Sequence, residues 1–404
     1  MDGGTIGSRI CELRRGVYTQ TELAAEAGVS VDVIRKLEQG RRQTASIPTL
    51  HSIARVLGVD IGELLGRSRP VPSGGEDQEQ VLAIRDALTS VDDLLGELDD
   101  ADAPDITELS RSLTYAWGAF WAGRYGLLAP ILPRLLAEAQ AATHNATTGG
   151  GALAADLAAQ VYQLTAGTLP DLGEANLAHT AAREALRCAA GAADPLREAV
   201  MHDMLGYVLI RQGRFLDAER VTVAAAEALQ PRGEASTAQL SVYGGLLLRG
   251  ATAASRQGRA GAATDLLREA TATAEHTGAD RTDYEVGFGP GIVVMQSTDV
   301  AMVTEDYAGA AVIARRMPRD AALTVKHRSR HLADVAHAQV RLRRYQAAES
   351  VLLTMERGAP DWTAHHRLPR LLVSELLTRG RPSTRLQDLA QRLHATPGRA
   401  RHSQ

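Results

Sequence analysis

In the stretch GVSVDVIRKLEQGRR, residues 28–42, side-chain types and spacing suit hydrogen bonding to the edges of base pairs. Counted from Ser30 as a helix cap, Val31, Asp32, Arg35 and Lys36 fall on one side of a helix, with Ile34 and Leu37 on the other. Arg35 can fork onto guanine O6 and N7, Lys36 can reach a guanine or a phosphate, and Val31 can press on a thymine methyl. Asp32 repels phosphates, and two readings of it stay open. Either it accepts from cytosine N4 and penalises every other base, trading affinity for specificity, or it stabilises the positive helix N-terminus by about 0.3–1 kcal/mol. Ser30 and Val33 belong to the same groove-facing segment. Phosphate contacts fall to Thr19 and Gln20, which open a helix with free N–H groups, and to Arg41 and Arg42 just past the segment. The alternative for those two arginines is a solvated loop.

A second group of candidates lies further along the chain. Trp117, Phe120, Asp203, Tyr207, Leu248, Thr252, Asp299, Met302 and His337 share the inner register of a helical repeat and can face a ligand. The segment TYAWGAFWAGRY, 114–125, concentrates five of the aromatics, which a ligand wall, a dimer contact or plain core would each explain. Neither a Gly-rich phosphate loop, a nucleophile elbow nor HExxH occurs, so catalysis is not expected. His365 and His366, and the row His327, His331 and His337, lack an evident carboxylate or thiolate to complete a metal set. They read as exposed helix histidines, and no metal or cofactor is expected. Cys11 and Cys188 lie far apart, which indicates neither a disulfide scaffold nor a zinc site.

Short helices must position the first group. Segments 7–15 and 19–27 carry Ile10, Leu13, Leu23, Ala24 and Ala27 on single faces, and Gly28 supplies the left-handed turn before the Ser30 cap. Gly40 ends that helix. Ser46 caps a fourth helix with Leu50, Ile53, Ala54 and Leu57, stopped by Gly58, and Asp60–Glu63 reads as a capping box opening a fifth that ends in Leu64 and Leu65. The chain thus divides into a five-helix head, 1–66, a Pro/Gly/Ser-rich linker, 67–80, and a repetitive remainder, 81–404. Residues 1–69 hold ten Arg/Lys against eight Asp/Glu, a charge of +2, whereas 76–110 hold twelve acids and one Arg, −11, and would turn away from a polyanion. From 350 onward nine Arg face four acids, +5, which reads as a solvated tail.

In the remainder, GRY at 123–125, GRF at 213–215, GRA at 258–260, EDY at 305–307 and RRY at 343–345 recur, with room for one more turn near 167–173. That period signals stacked helix pairs, with Gly206 and Ala218 small where two helices approach. Ala, Leu and Arg are abundant while aromatics make up only 4% of the chain, which favours helix throughout. The expectation is an all-α chain. With neither a signal peptide nor an apolar run long enough to span a membrane, it reads as cytoplasmic, with no membrane partner.

Residues 1–66 resemble the Cro/C1-type (XRE) helix-turn-helix family over all five helices. Arg14, Gln20, Leu23, Ala24, Gly28, Val29, Ser30, Ile34, Leu37, Glu38, Gly40, Leu50, Ala54, Leu57, Gly58, Leu64 and Leu65 carry the resemblance. One departure is a connection between Arg14 and Gln20 that is a residue short, which bears on the Arg14–Glu38 pairing common in the family. Residues from 81 resemble tetratricopeptide repeats of the long-period kind appended to such regulators in actinobacteria, with FGPGIVVMQ (288–296) and SRHLADVAHAQ (329–339) as landmarks. The resemblance implies a transcriptional regulator that binds double-stranded DNA as a homodimer on two half-sites, with a superhelical array that senses an effector. A likeness to the peptide-pheromone receptors of Gram-positive bacteria makes a peptide one candidate effector. Those receptors hold peptide with array asparagines, and here only Asn145 and Asn176 occur, so a small molecule or a partner protein stays open as well. The rival readings are an interaction scaffold with a vestigial head and an antitoxin-type repressor.

Overall fold

Amphipathic helices too short to bury their apolar faces alone settle here into two bodies, a small head and a long stack of hairpins. The structure, a computed structural model, describes residues 6–14, 18–42, 45–57, 64, 75–90, 105–144, 151–379 and 382–395. Gly58, the Asp60–Glu63 capping box, Leu65, linker residues 67–74 and Asn145 lie outside the described residues.

The head comprises α1 (Ile6–Arg14), α2 (Gln20–Glu26), α3 (Val31–Glu38) and α4 (Ile47–Val56), with Leu64 completing its core. Ile10, Leu23, Ile34, Leu37 and Ile53 are wholly buried there. Local signals start and stop these helices. Thr19 forms a capping box with Glu22, and the Ser30 and Ser46 hydroxyls accept from the Val33 and Thr49 N–H groups.

Helix α5 (Gly75–Leu88) begins inside the segment expected as linker, which corrects that boundary. Ile84 and Leu88 explain the difference, since both are buried against the array and their burial overrides the Gly-rich start. Six hairpins follow: α6 (Ile106–Trp121), with the single turn α7 (Tyr125–Leu128), and α8 (Leu132–His144); α9 (Gly151–Thr168) and α10 (Ala175–Ala192); α11 (Pro195–Arg211) and α12 (Phe215–Leu229). Then come α13 (Thr237–Arg256) and α14 (Ala260–Thr277); α15 (Pro290–Val303) and α16 (Tyr307–Ala314); α17 (Val325–Arg341) and α18 (Tyr345–Gly358). The stretch expected as a solvated tail instead folds into α19 (Pro360–His365), α20 (Arg367–Arg379) and α21 (Thr384–Arg392). Trp362, Leu372, Val373, Leu376, Leu386 and Leu389 bury a second core with α17 and α18 there, and Arg367, Arg370, Arg379 and Arg385 are spaced between these apolar positions.

All six hairpins turn by one device. The residues Gly123, Gly173, Gly213, Gly258, Glu305 and Arg343 sit in the left-handed region, at φ of 69, 90, 75, 79, 64 and 59°. The following N–H reaches back to the carbonyl five residues earlier, as in Arg214 N to Leu209 O and Arg344 N to Gln339 O, both 2.8 Å. This closes the first helix of each pair in the manner of a Schellman cap. Arg343 is exposed and pays a steric cost that four sister turns avoid with glycine. Arg343→Gly is therefore expected to stabilise the array by about 0.5–1 kcal/mol, the gain being partly offset by glycine's freedom in the unfolded chain. An unchanged or lowered urea midpoint would refute it.

Two further features were not visible as local patterns. A hairpin of strands β1 (Arg281–Asp283) and β2 (Val286–Phe288) leaves the stack between α14 and α15. Its β2 seats in a notch at Gly244 and Gly245 of α13, where any Cβ would run into Phe288 or Val286. The stack also curls until its ends meet. Helix α17 packs on α6, α19 packs on α7, and Trp362 covers Gly123. One carboxylate, Asp171 in the α9–α10 turn, ties that closure. It accepts from Tyr125 Oη at 2.9 Å and pairs with Lys326 Nζ at 2.9 Å, with His366 Nε2 at 3.4 Å and Arg211 Nη2 at 3.7 Å.

Candidate nucleic-acid interface and array interior

Helix α3 presents two unlike faces. Ile34 and Leu37 are buried in the head core, while Asp32, Arg35 and Lys36 are exposed. Arg14 fixes the far end of the helix by holding Glu38 bidentately, Nε to Oε1 at 2.7 Å and Nη2 to Oε2 at 2.9 Å, and by donating to Tyr18 O at 3.0 Å. The family's Arg14–Glu38 pair thus forms despite the shortened connection. Burial alone would raise the Glu38 carboxyl, but the bonds from Arg14 and Gln20 outweigh it and hold it below its ordinary range.

The structure refines several of the expected contacts. Gln20 is not simply presented to solvent, because its Nε2 donates to Glu38 Oε2 at 2.7 Å. The Thr19 N–H donates to Glu22 Oε2 at 2.6 Å, so the free N–H groups at this end are those of the next residues. Val31 and Val33 are half-buried against the head core, where their methyl groups pack. Asp32 pairs with Lys36 across one turn at 2.7 Å, which depresses the Asp32 carboxyl. The two charges neutralise each other, so the excess positive charge of the exposed face rests with Arg35. Arg41 and Arg42 follow, both exposed, beyond Gly40 at φ 68°.

The nine inner-register residues of the array fall into three settings. Asp203, Tyr207, Thr252 and Asp299 come together in an ionic network. Asp203 holds Arg249 through two bonds of 3.0 and 2.9 Å, and that guanidinium lies 5.2 Å over the Tyr207 ring. Asp299 pairs with Arg256 at 3.0 Å and with Arg330 at 2.7 Å, and Gln296 links it to the Thr252 hydroxyl. Trp117, Phe120 and Leu248 are buried in the main core. Met302 belongs to a small cluster with Ala310 and Ala338, and His337 lies half-buried against Tyr307, ring centroids 6.3 Å apart. Two of the inner-register residues, Asp203 and Asp299, are thus engaged by salt bridges within the array itself.

The histidines read as exposed are corrected. His331 is buried, and His327 is half-buried with its ring 5.1 Å from that of Trp121. His366 stacks on Trp362, ring centroids 3.8 Å apart, and only His365 is exposed. Among the described residues, no three His, Cys, Asp or Glu side chains gather as metal ligands would, and no helix is long and apolar enough to cross a membrane. Sequence reasoning missed Asp171, Lys326, Arg249, Arg256 and Arg330. Arg249 and Arg256, seven residues apart on α13 and so on one face, were the available signal.

Comparisons with known proteins agree with the head. Residues 18–64 match the Helix-turn-helix (HTH_3) family. The HTH-type transcriptional regulator SinR of Bacillus subtilis (strain 168) is 33% identical over 87 residues, which make up 21% of this chain and 78% of SinR. Two solved structures overlap more of the chain, more loosely. PlcR of Bacillus thuringiensis, solved in complex with the peptide PapR7 and DNA, is 11% identical over 77% of this chain and 94% of its own, with a TM-score of 0.32. The apo form of the competence regulator ComR from Streptococcus vestibularis is 16% identical over 82% of this chain and 98% of its own, with a TM-score of 0.29.

Proposed function

The chain belongs to the helix-turn-helix transcriptional regulators of the XRE family, and from that premise we propose that it acts as a homodimer whose array takes an effector and thereby adjusts how the two heads fit their operator. The observation that carries the reading is the two-faced α3, with Ile34 and Leu37 in the core and Arg35 outward. Such a helix can lay its N-terminal half in a major groove while Arg41, Arg42 and the start of α2 take phosphates. With residues 1–69 carrying a charge of only +2, each head gains few phosphate contacts, which favours two heads on half-sites about 34 Å apart.

A route from array to head is also present. His51 of α4 lies against Phe215 at the α11–α12 turn, ring centroids 4.7 Å apart, and a Cβ on Gly213 would run into its ring. A shift of that turn therefore moves the head. The effector must bind two array states unequally for this to alter operator fit.

Mobility-shift titration on the DNA upstream of the protein's own gene tests the proposal. Arg35→Ala is expected to weaken binding by about 1–3 kcal/mol and to relax preference at one base pair, while Arg41→Ala weakens all sequences alike. Binding without sequence preference, indifferent to Arg35→Ala, would leave α3 as structure only. Native mass spectrometry of the DNA-free protein reads the dimer directly.

A further inference from the structure

A cavity of about 380 Å³ opens between α6, α9 and the tip of the β-hairpin. Its apolar walls include Trp117, Trp121, Leu113 and Leu157, and its polar groups include Gln160 and Glu285. The two indoles stack with centroids 6.1 Å apart and planes 21° from parallel. Glu285 Oε2 accepts from Trp121 Nε1 at 2.6 Å.

Glu285 is half-buried, and among the described residues no cation pairs with it. Arg281 is taken by Asp283 and Arg197 by Asp156. His327, on Trp121, is held neutral, its imidazole pushed down to about 3 mainly by burial. Burial of Glu285 raises its carboxyl, and the Trp121 N–H bond and the more distant charge of Arg197 offset this only in part.

The chain also strains its backbone to bring this group here. Tyr284 and Glu285, the two residues of the hairpin tip, both sit in the left-handed region, at φ 52° and 61°. Tight hairpins normally place Asn or Gly at such positions. Tyr284 locks the tip, donating from Oη to Asp194 at 2.8 Å beneath the Arg197 guanidinium, 4.8 Å from its ring. Strain held in place by side-chain anchors, delivering an unpaired carboxylate to an aromatic-walled cavity, marks a binding site.

We propose that this cavity is the effector site and that it takes a small organic cation, an ammonium or amidinium, with its charge on Glu285 and its body against Trp117 and Trp121. The carboxylate repels anions, the indole faces attract cations, and the volume suits a single ring or short chain rather than a peptide. This rests on the effector reading given above.

The test titrates full-length protein with benzylamine, its neutral isostere benzyl alcohol, and phenylacetate, followed by tryptophan fluorescence. Trp117 and Trp121 line the cavity, and Trp362 is the chain's one other indole. Benzylamine is expected to give a saturable change at least about tenfold tighter than benzyl alcohol, with phenylacetate inert, and Glu285→Gln is expected to bring amine and alcohol within about threefold. Equal binding of amine and alcohol to the unaltered protein, no saturable response to benzylamine, or a preference that survives Glu285→Gln in a protein with unchanged circular dichroism each overturns the cation site. Should Glu285→Gln fail to fold, the amine-to-alcohol ratio in the unaltered protein decides alone. Repeating the operator titration with benzylamine separates the two readings. Amine binding that leaves operator affinity unchanged keeps the cation site and removes its effector role, whereas loss of sequence-specific DNA binding in every condition removes the regulator reading and leaves the cation site untouched.

Discussion

Lowering the pH from about 7 to about 5 is expected to cost the array about 2–4 kcal/mol of stability. Three imidazoles on α17 are responsible. Burial, with cations beside each ring, pushes His327 down to about 3 and His331 and His337 down to about 4. Lys326 and Arg249 add to the effect at His327, Arg328 at His331, and Arg341 and Arg330 at His337. In the unfolded chain each titrates near its ordinary value of about 6.5, so between there and pH 4 the unfolded state binds more protons and acid favours it. Asp334 works the other way. Burial and neighbouring Asp299 lift its carboxyl to about 6 against the pull of Arg330, so the folded state takes up a proton there over part of the same range. The balance is roughly two protons over about 1.5 pH units, or about 4 kcal/mol, reduced because His327 and His337 are partly exposed. Asp299, held down to about 2 by Arg256 and Arg330 despite its burial, contributes only below this window. Urea midpoints followed by far-UV circular dichroism at pH 7, 6 and 5 read the slope, and a flat profile would contradict it. Since α17 is the helix that meets α6, acid should loosen the closure of the superhelix first.

Much of this architecture was legible locally, and the rest was not, for physical reasons. A glycine or its stand-in after each first helix, followed by an aromatic or alanine plug, located the hairpin turns because a left-handed cap leaves its mark within six residues. The α3 faces were legible because burial at 34 and 37 follows from a period of 3.6. What the outer side chains do in the free protein was not. Asp32 turns to Lys36 rather than standing alone, and Gln20 turns inward to a carboxylate 18 residues away. The β-hairpin escaped detection because Tyr284 and Glu285 contradict the usual turn chemistry, and only contacts with Asp194, Arg197 and Trp121 make them tolerable. The tail from 350 misled because its charge is spread among apolar positions that become a core only once α17 and α18 are beside them.

Closure of the array had no local signature, because its central pair, Asp171 and Lys326, lies 155 residues apart in the chain. Asp171→Ala is expected to be among the most damaging single changes in the array, destabilising it by about 3–5 kcal/mol. Burial alone would raise the Asp171 carboxyl, yet Lys326, His366 and Arg211 hold it well below the usual carboxylate range, so the group is charged and its partners depend on it. Removing it strands Lys326, whose Nζ also lies 3.6 Å over the Phe120 ring, in a site that offers that cation no other carboxylate among the described residues. It also takes the acceptor from buried Tyr125 Oη. A merely structural alanine in a turn would cost far less, so the size of the loss discriminates. Replacing both charges, Asp171→Leu with Lys326→Met, is expected to recover much of the stability, because the desolvation penalty goes with the pair. Urea midpoints of the parent, Asp171→Leu, Lys326→Met and the double variant give the coupling energy, and small-angle scattering of Asp171→Ala reads the opening. If Asp171→Ala stays within about 1 kcal/mol of the parent, at the level of an exposed ion pair, the ends of the stack are held by apolar packing of Trp362 on Gly123 and of Trp121 on His327, and not by this carboxylate.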